Sequence, residues 1–312
     1  TDGGRTQLSG AVGAVNPLGG IGMANTAEHT VATVTAAGTV AVNGSLGYAG
    51  SSGLFIGDSV TADFSHGGTI TDFTTSGVVF EGSSTNSTIS NFTISDNVYD
   101  GIQIAAAAGS VPYDFTGTQI SDNTIYGNSA FGIETLAPVS GLTISGNTIG
   151  KQGTSNPWGY VSDGPNAHGV VLAPGTYAGS SISGNVISHN MRSAIFAPGG
   201  VKGLDISGNA LSDNGTHGIE FVTGDFAGTD IQNNVIRSNG ADGISLGAGI
   251  GQGTRTPGIN PLVGYTTEGG RYLDAHYVLP YANNPDFYSE QTPPPDPTIQ
   301  MRVGTKQLEV NL

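Results

Sequence analysis

The sequence predicts an all-β chain wound as a single-stranded parallel β-solenoid, closed by an irregular C-terminal segment. Three observations carry that prediction. A repeat recurs with a period in the low to mid twenties, short apolar alternations are broken by Asn and Gly, and no stretch keeps the unbroken 3.6-residue periodicity of a helix.

In register, the copies are ISNFTISDNVYDGIQI (89–104), ISDNTIYGNSAFGIET (120–135), ISGNVISHNMRSAIFA (182–197), ISGNALSDNGTHGIEF (206–221) and IQNNVIRSNGADGISL (231–246). A sixth, ISGNTIG (144–150), is interrupted and resumes at HGVVLA (168–173). The common pattern is I-x-x-N-x-I-x-x-N-x-x-x-G-I. Its first Asn falls at Asn123, Asn147, Asn185, Asn209 and Asn234, with Phe92 in the earliest copy. Each apolar–polar alternation reads as a short strand, and Asn and Gly suit the left-handed turns between strands. One winding cannot bury its own apolar side, so windings stack about 4.8 Å apart and equivalent residues form columns. The Asn columns (Asn123, Asn147, Asn185, Asn209, Asn234 and Asn128, Asn190, Asn214, Asn239) read as structural ladders, and His189 as an outer-turn residue.

Upstream, 68–82 is a shorter winding, and 30–44 and 52–64 alternate like degenerate ones. Residues 1–29 fit a cap or lead-in, 30–250 the solenoid, and 251–312 a non-repetitive segment rich in Tyr and Pro. Within that last segment, TPPPDP (292–297) reads as a stiff spacer and 298–312 as a strand pair.

Composition narrows the function. The 312 residues include 51 Gly, no Cys, and 9 Lys+Arg against 24 Asp+Glu, for a net charge of −15. Such an acidic chain has little with which to neutralise phosphates, which excludes a nucleic-acid partner. Without Cys there are no disulfides or thiolate metal sites, and without a long apolar run no span crosses a membrane. The chain opens on TDGGRTQLSG, as a mature form or an excised fragment would, and a secreted or cell-surface location is expected. An acidic surface can bind Ca²⁺, the one cofactor expected, and the oligomeric state stays open.

Function in a regular solenoid concentrates where coil lengths break. From first Asn to the Gly of "GI", the usual count is nine, as from Asn209 to Gly218, but Asn147 to Gly169 is 22, an insertion of 13. It carries Trp158, the only Trp, together with Tyr160 and Asp163. A second insertion of about seven lies in 105–115. The two could wall a groove over the GI strands, where Trp and Tyr offer faces for sugar rings to stack on.

The column just before each Gly holds Asp100, Phe131, His168, Ser193, His217 and Asp242; Arg192 precedes Ser193, and Glu134 and Glu220 lie two past the Gly. This set suits proton abstraction next to a carboxylate. His217 is the candidate base oriented by Asp242, Tyr160 or His168 the acid, and Arg192 the charge neutraliser. Trp158, Asp163, Glu220, Glu134 and Asp100 are candidate substrate contacts. Paired carboxylates, Asp163 with Glu220 or Glu134, fit glycoside hydrolysis instead. The slot before Gly is also a turn position that tolerates Asp, His and Ser, so Asp100 and Asp242 read equally as turn-formers.

The ISxNxIxxNxxxGI copies resemble the parallel β-helix repeats of pectate-lyase-like proteins over residues 70–250. That resemblance implies a right-handed parallel β-helix. NGTHGIEF (214–221) and NGADGISL (239–246) are similar to segments of mannuronan C5-epimerases, though the Asp-Pro-His motif of those enzymes is replaced by SDGPNAHG (162–169). The resemblance implies a polysaccharide, expected to be acidic, as substrate, and a uronate lyase or C5-epimerase type of reaction. The other reading is a non-catalytic adhesin, tailspike-like shaft or polysaccharide-binding scaffold.

Overall fold

The computed structural model describes residues 5–8, 21–23, 32–36, 40–43, 52–105, 112–150, 166–246, 298–303 and 306–311. Alternating Ile and polar residues in these short segments give strands whose apolar side chains all turn to one side. Successive windings contribute strands to three parallel sheets. Among the described residues, sheet A has nine strands, sheet B eight and sheet C nine. Strands Arg5–Leu8 and Ile21–Met23, inside the segment expected as a lead-in, already pair into sheets A and C. Near the other end, Thr298–Val303 and Lys306–Asn311 form the expected strand pair, antiparallel and joined to none of these three sheets.

Registration makes the core. Ile89, Ile120, Ile144, Ile182, Ile206 and Ile231 are successive Cα partners in sheet A. In sheet B the column runs Ile70, Ile94, Ile125, Ile149, Ile187, Leu211, Ile236. In sheet C it runs Val78, Ile102, Ile133, Val170, Ile195, Ile219, Ile244. All of these side chains are buried and belong to one continuous apolar cluster. A one-residue slip of any winding would turn its Ile outward and its polar residues into that cluster, so register is strongly specified.

The turns are held by buried amides. Asn147 donates from its backbone N–H and its Nδ2 to Asn185 Oδ1, at 2.9 and 3.0 Å, and Asn185 does the same to Asn209 Oδ1. The remaining Nδ2 hydrogen reaches a carbonyl of an earlier winding, as from Asn147 to Ile120. This ladder includes Asn123, Asn147, Asn185, Asn209 and Asn234, as the sequence predicts. The second ladder contains the four predicted residues and two more, Asn97 and Asn166. Asn147 and Asn166 are 19 apart where Asn185 and Asn190 are 5 apart, so the insertion lies between these two ladders, on the turn leading into sheet C.

Left-handed backbone marks the same turns. Asp122 and Asn233 occupy it between sheets A and B, at φ 57° and 54°, and His189 and Asp213 between B and C, each at φ 57°. His189 is therefore a turn residue, as expected. The Gly of each "GI" has a different cause. A Cβ on Gly218 would lie 2.4 Å from Ile236 Cγ2 and 2.5 Å from the Gly243 carbonyl oxygen of the next winding, too close for any side chain.

Because Asn209 satisfies groups on both neighbouring windings, Asn209→Ala strands several buried donors and acceptors, at about 1–3 kcal/mol each. Chemical denaturation should show a loss of at least about 2 kcal/mol. The exposed outer-face Val186→Thr should stay within about 0.5 kcal/mol of the parent.

Candidate functional site on the outer face of sheet C

The outer face of sheet C brings the slot before Gly and the position two past it into adjoining columns. In the slot, side chains accept hydrogen bonds from the backbone of the next winding. Asp100 N–H donates to Ser76 Oγ at 3.3 Å, and Phe131 N–H to Asp100 Oδ1 at 3.1 Å. Ser193 N–H donates to His168 Nδ1 at 3.2 Å, and Asp242 N–H to His217 Nδ1 at 3.1 Å. The slot is thus a third structural ladder, in which Ser, Asp and His are interchangeable acceptors. Asp100, His168 and Ser193 are buried in this slot, whereas Phe131, His217 and Asp242 are partly exposed.

At one end of this face, Asp100, Gln103 and Glu134 cluster on the Ile102–Ala105 and Phe131–Thr135 strands. Gln103 Nε2 donates to Asp100 Oδ2 at 2.9 Å and approaches Glu134 Oε2 at 3.5 Å. Burial, then the neighbouring Glu134 carboxylate, push the Asp100 carboxyl up to about 7. Asp100 therefore holds a proton at pH values where an exposed Asp would have lost it.

The centre of the face is aromatic. His168 stacks on Phe196, with ring centroids 4.5 Å apart and planes at 22°, and meets Phe131 at 5.7 Å. Burial lowers its pKa to about 4, with the Arg192 charge adding to the fall and Glu220 opposing it. His168 is neutral at pH 7, with its Nδ1 lone pair committed to Ser193.

At the other end lie His217, Asp242, Glu220, Ser193, Thr216 and Arg192. His217 is partly exposed, its Nδ1 3.4 Å from Asp242 Oδ2 as well as 3.1 Å from the Asp242 backbone nitrogen. Glu220 is carried by the strand Ile219–Phe221. Its Oε2 accepts a 2.5 Å hydrogen bond from Ser193 Oγ, a fully buried hydroxyl that is 2.9 Å from Thr216 Oγ1. Arg192 is exposed, on the winding between the two histidines.

Among the described residues, four of the six exposed large apolar side chains rim this sheet. Tyr99 and Met191 sit in turns leading into it, and Leu136 and Val222 just past its strands. That rim, the Phe131–His168–Phe196 stack, the Gln103 bridge and the Ser193–Glu220 bond were not foreseen from sequence. Tyr160, Trp158 and Asp163, in the insertion, lie outside the described residues, as does most of the 105–115 insertion. Their attachment points are described: one insertion follows the Ile102–Ala105 strand and the other precedes His168–Leu172, with Phe131–Thr135 between those two strands. Among the described residues, no three His, Asp or Glu side chains converge in a set that could hold a metal ion, so the expected Ca²⁺ has no ligands assigned.

A family model described as the right-handed β-helix region matches residues 19–248. No curated protein sequence matches the chain. Among solved structures, a periplasmic alginate epimerase is 11% identical, covering 84% of this chain and 76% of that one at a TM-score of 0.43. The A-module of an Azotobacter vinelandii mannuronan C-5 epimerase is 13% identical, covering 86% and 90% at 0.37. The catalytic unit of a Streptomyces thermodiastaticus α-1,3-glucanase is 13% identical, covering 78% and 60% at 0.33.

The two shifted groups oppose each other in stability. Asp100 has a folded pKa raised from 3.8, so its contribution is full below about 4 and is lost as pH rises through about 7. His168 has a folded pKa depressed from 6.5, so its contribution is full above 6.5 and is lost as pH falls toward 4. Between pH 4 and 6.5 the two slopes offset, each at most about 1.4 kcal/mol per pH unit. Asp100→Asn should leave a protein whose stability rises with pH across that window, and His168→Gln one whose stability falls, both read by urea denaturation at a series of pH values.

Proposed function

Because the chain belongs to the right-handed β-helix family, we propose that the outer face of sheet C binds a polysaccharide laid across successive windings and acts on it at His217, Glu220, Asp242 and Arg192. The observation that carries this reading is the gathering of those four side chains, the Phe131–His168–Phe196 stack and an apolar rim on one face of one sheet. Aromatic and apolar surface accepts the faces of sugar rings, while the polar columns between supply hydrogen bonds and proton transfer.

The reaction this set suits is proton abstraction from the carbon beside a uronate carboxylate, as a lyase or an epimerase requires. That proton becomes acidic only when the charge moving onto the carboxylate is stabilised, and Arg192 is the cation available to do it. The remaining charges on the face are carboxylates, Asp100, Glu134, Glu220 and Asp242, so an acidic polymer binds against repulsion that Ca²⁺ would relieve. A polymer substrate places the protein outside the cell or on its surface.

A second reading has one observation behind it. The Asp100 carboxyl holds a proton near neutral pH, with the Glu134 carboxylate on the adjacent winding, as one member of an acid–base carboxyl pair for glycoside hydrolysis does.

Incubation with alginate, pectate and hyaluronan decides between them. The first reading expects ultraviolet absorbance from unsaturated uronates, or inverted sugar units in the proton spectrum, with activity falling when Ca²⁺ is chelated. The second expects new reducing ends without unsaturation. Silence on all three polymers, with no binding, would leave the face as a scaffold surface. Phe196→Ala should raise KM several-fold with a smaller effect on kcat, since it removes stacking surface and no proton-transfer group.

A further inference from the structure

The geometry around His217 points to a division of labour that reverses the simplest reading of the sequence. A general base needs a free lone pair. Nδ1 of His217 has the Asp242 backbone N–H against it at 3.1 Å, the same rung that His168 supplies to Ser193 at 3.2 Å. A backbone N–H between stacked windings must be satisfied, and His217 Nδ1 is the acceptor that satisfies this one. The proton of neutral His217 therefore sits on Nε2, and the ring presents a hydrogen-bond donor to the groove. For His217 to work as a base through Nε2, Nδ1 would have to take the proton, turn to Asp242 Oδ2 at 3.4 Å and abandon the rung.

Glu220 has the opposite arrangement. One oxygen, Oε2, is fixed by the Ser193 hydroxyl, which is itself held by Thr216. Among the described residues no hydrogen bond reaches Oε1, and the side chain is half-exposed on the outer face. A carboxylate clamped at one oxygen with the other directed outward is a positioned proton acceptor.

Resting on the uronate reading above, we propose that Glu220 is the catalytic base, that Ser193 is its positioning residue, and that His217 serves as a neutral Nε2–H donor to the substrate carboxylate. Glu220 Oε1 takes the proton from the carbon beside the carboxylate. The electron pair of that C–H bond moves into the carboxylate, whose oxygens are stabilised by Arg192 and His217 Nε2–H. The pair then returns to form the carbon–carbon double bond as the adjacent C–O bond to the next sugar breaks. Glu220 delivers its proton to the departing oxygen, so the base is regenerated and no co-reactant is consumed. The product is an unsaturated uronate, which makes the reaction an elimination.

Two measurements test this. Nitrogen-15 NMR of the imidazoles in the free protein, assigned with His168→Gln, should show His217 with Nε2 protonated and Nδ1 bare at pH 8; a protonated Nδ1 overturns the donor role without any substrate. On whichever polyuronate the parent cleaves, Glu220→Gln should lower kcat at least a hundredfold, the scale of a lost general base. His217→Gln, which keeps an N–H donor, should lose ten-fold or less. Ser193→Ala should lower kcat more than it raises KM, and Ser193→Thr, which keeps the hydroxyl, should recover most of the lost kcat. Glu220→Gln within a few-fold of the parent, with His217→Gln inactive, would restore His217 as the base. A parent inactive on every polyuronate removes the substrate reading and the base together, while the tautomer result stands or falls by itself.

Discussion

The buried turn amides of this solenoid are completed by the windings next to them. Asn185 shows the constraint in one residue: its Oδ1 accepts two hydrogen bonds from Asn147, and its own N–H and Nδ2 donate to Asn209. Ile columns on three sheets and two Asn ladders at the turns work together, because the amide bonds form only where the strands are in register, and register is enforced by keeping Ile inside. With 51 glycines and few charges, the chain has little else to define a single structure. Repetition supplies the definition, since each short strand is too small to be stable alone and gains its contacts from both neighbours.

The same constraint builds the candidate site. Positions 25 residues apart, such as Glu220 and Ser245, become Cα partners, so a face of chemistry can be assembled from single substitutions in successive repeats. The slot before Gly must offer an acceptor to the next winding's N–H, and a histidine can meet that demand with Nδ1 while presenting Nε2 to the groove. His168 and His217 both accept the next winding's N–H through Nδ1, yet they differ in consequence. His168 is sealed between Phe131 and Phe196 and held neutral, whereas His217 stays partly open beside Asp242 and Glu220. Fold and site are therefore not separable here: a residue that carries the stack also fixes which tautomer faces a ligand.

The fold was legible because its signal is periodic. The apolar columns, the first Asn ladder and four members of the second follow from spacing alone. Asn97 escaped because Phe92 breaks the motif of the earliest full copy, and Asn166 because the insertion separates it from Asn147. The site was legible only as a column of candidates. Spacing shows that His217 and Asp242 meet, but whether Nδ1 meets the carboxylate or the backbone N–H depends on geometry at the level of single bonds. The Ser193–Glu220 bond crosses between two columns, and Phe131 and Phe196 read as fillers until their rings are seen against His168. Trp158, Tyr160 and Asp163 belong to a segment without repeats, where periodic reasoning has nothing to hold.

The stack itself is open to a direct chemical test, because the chain has no native cysteine. Glu220 and Ser245 are Cα partners on neighbouring strands of sheet C, so their Cα atoms should lie about 4.8 Å apart, within the roughly 4.4–6.8 Å span of a disulfide. Mild oxidation of the Glu220→Cys, Ser245→Cys double variant should close that bridge in the folded protein, with unchanged circular dichroism. A folded double variant whose two thiols stay free under oxidation would contradict in-register winding, and with it the common face on which the site is assembled.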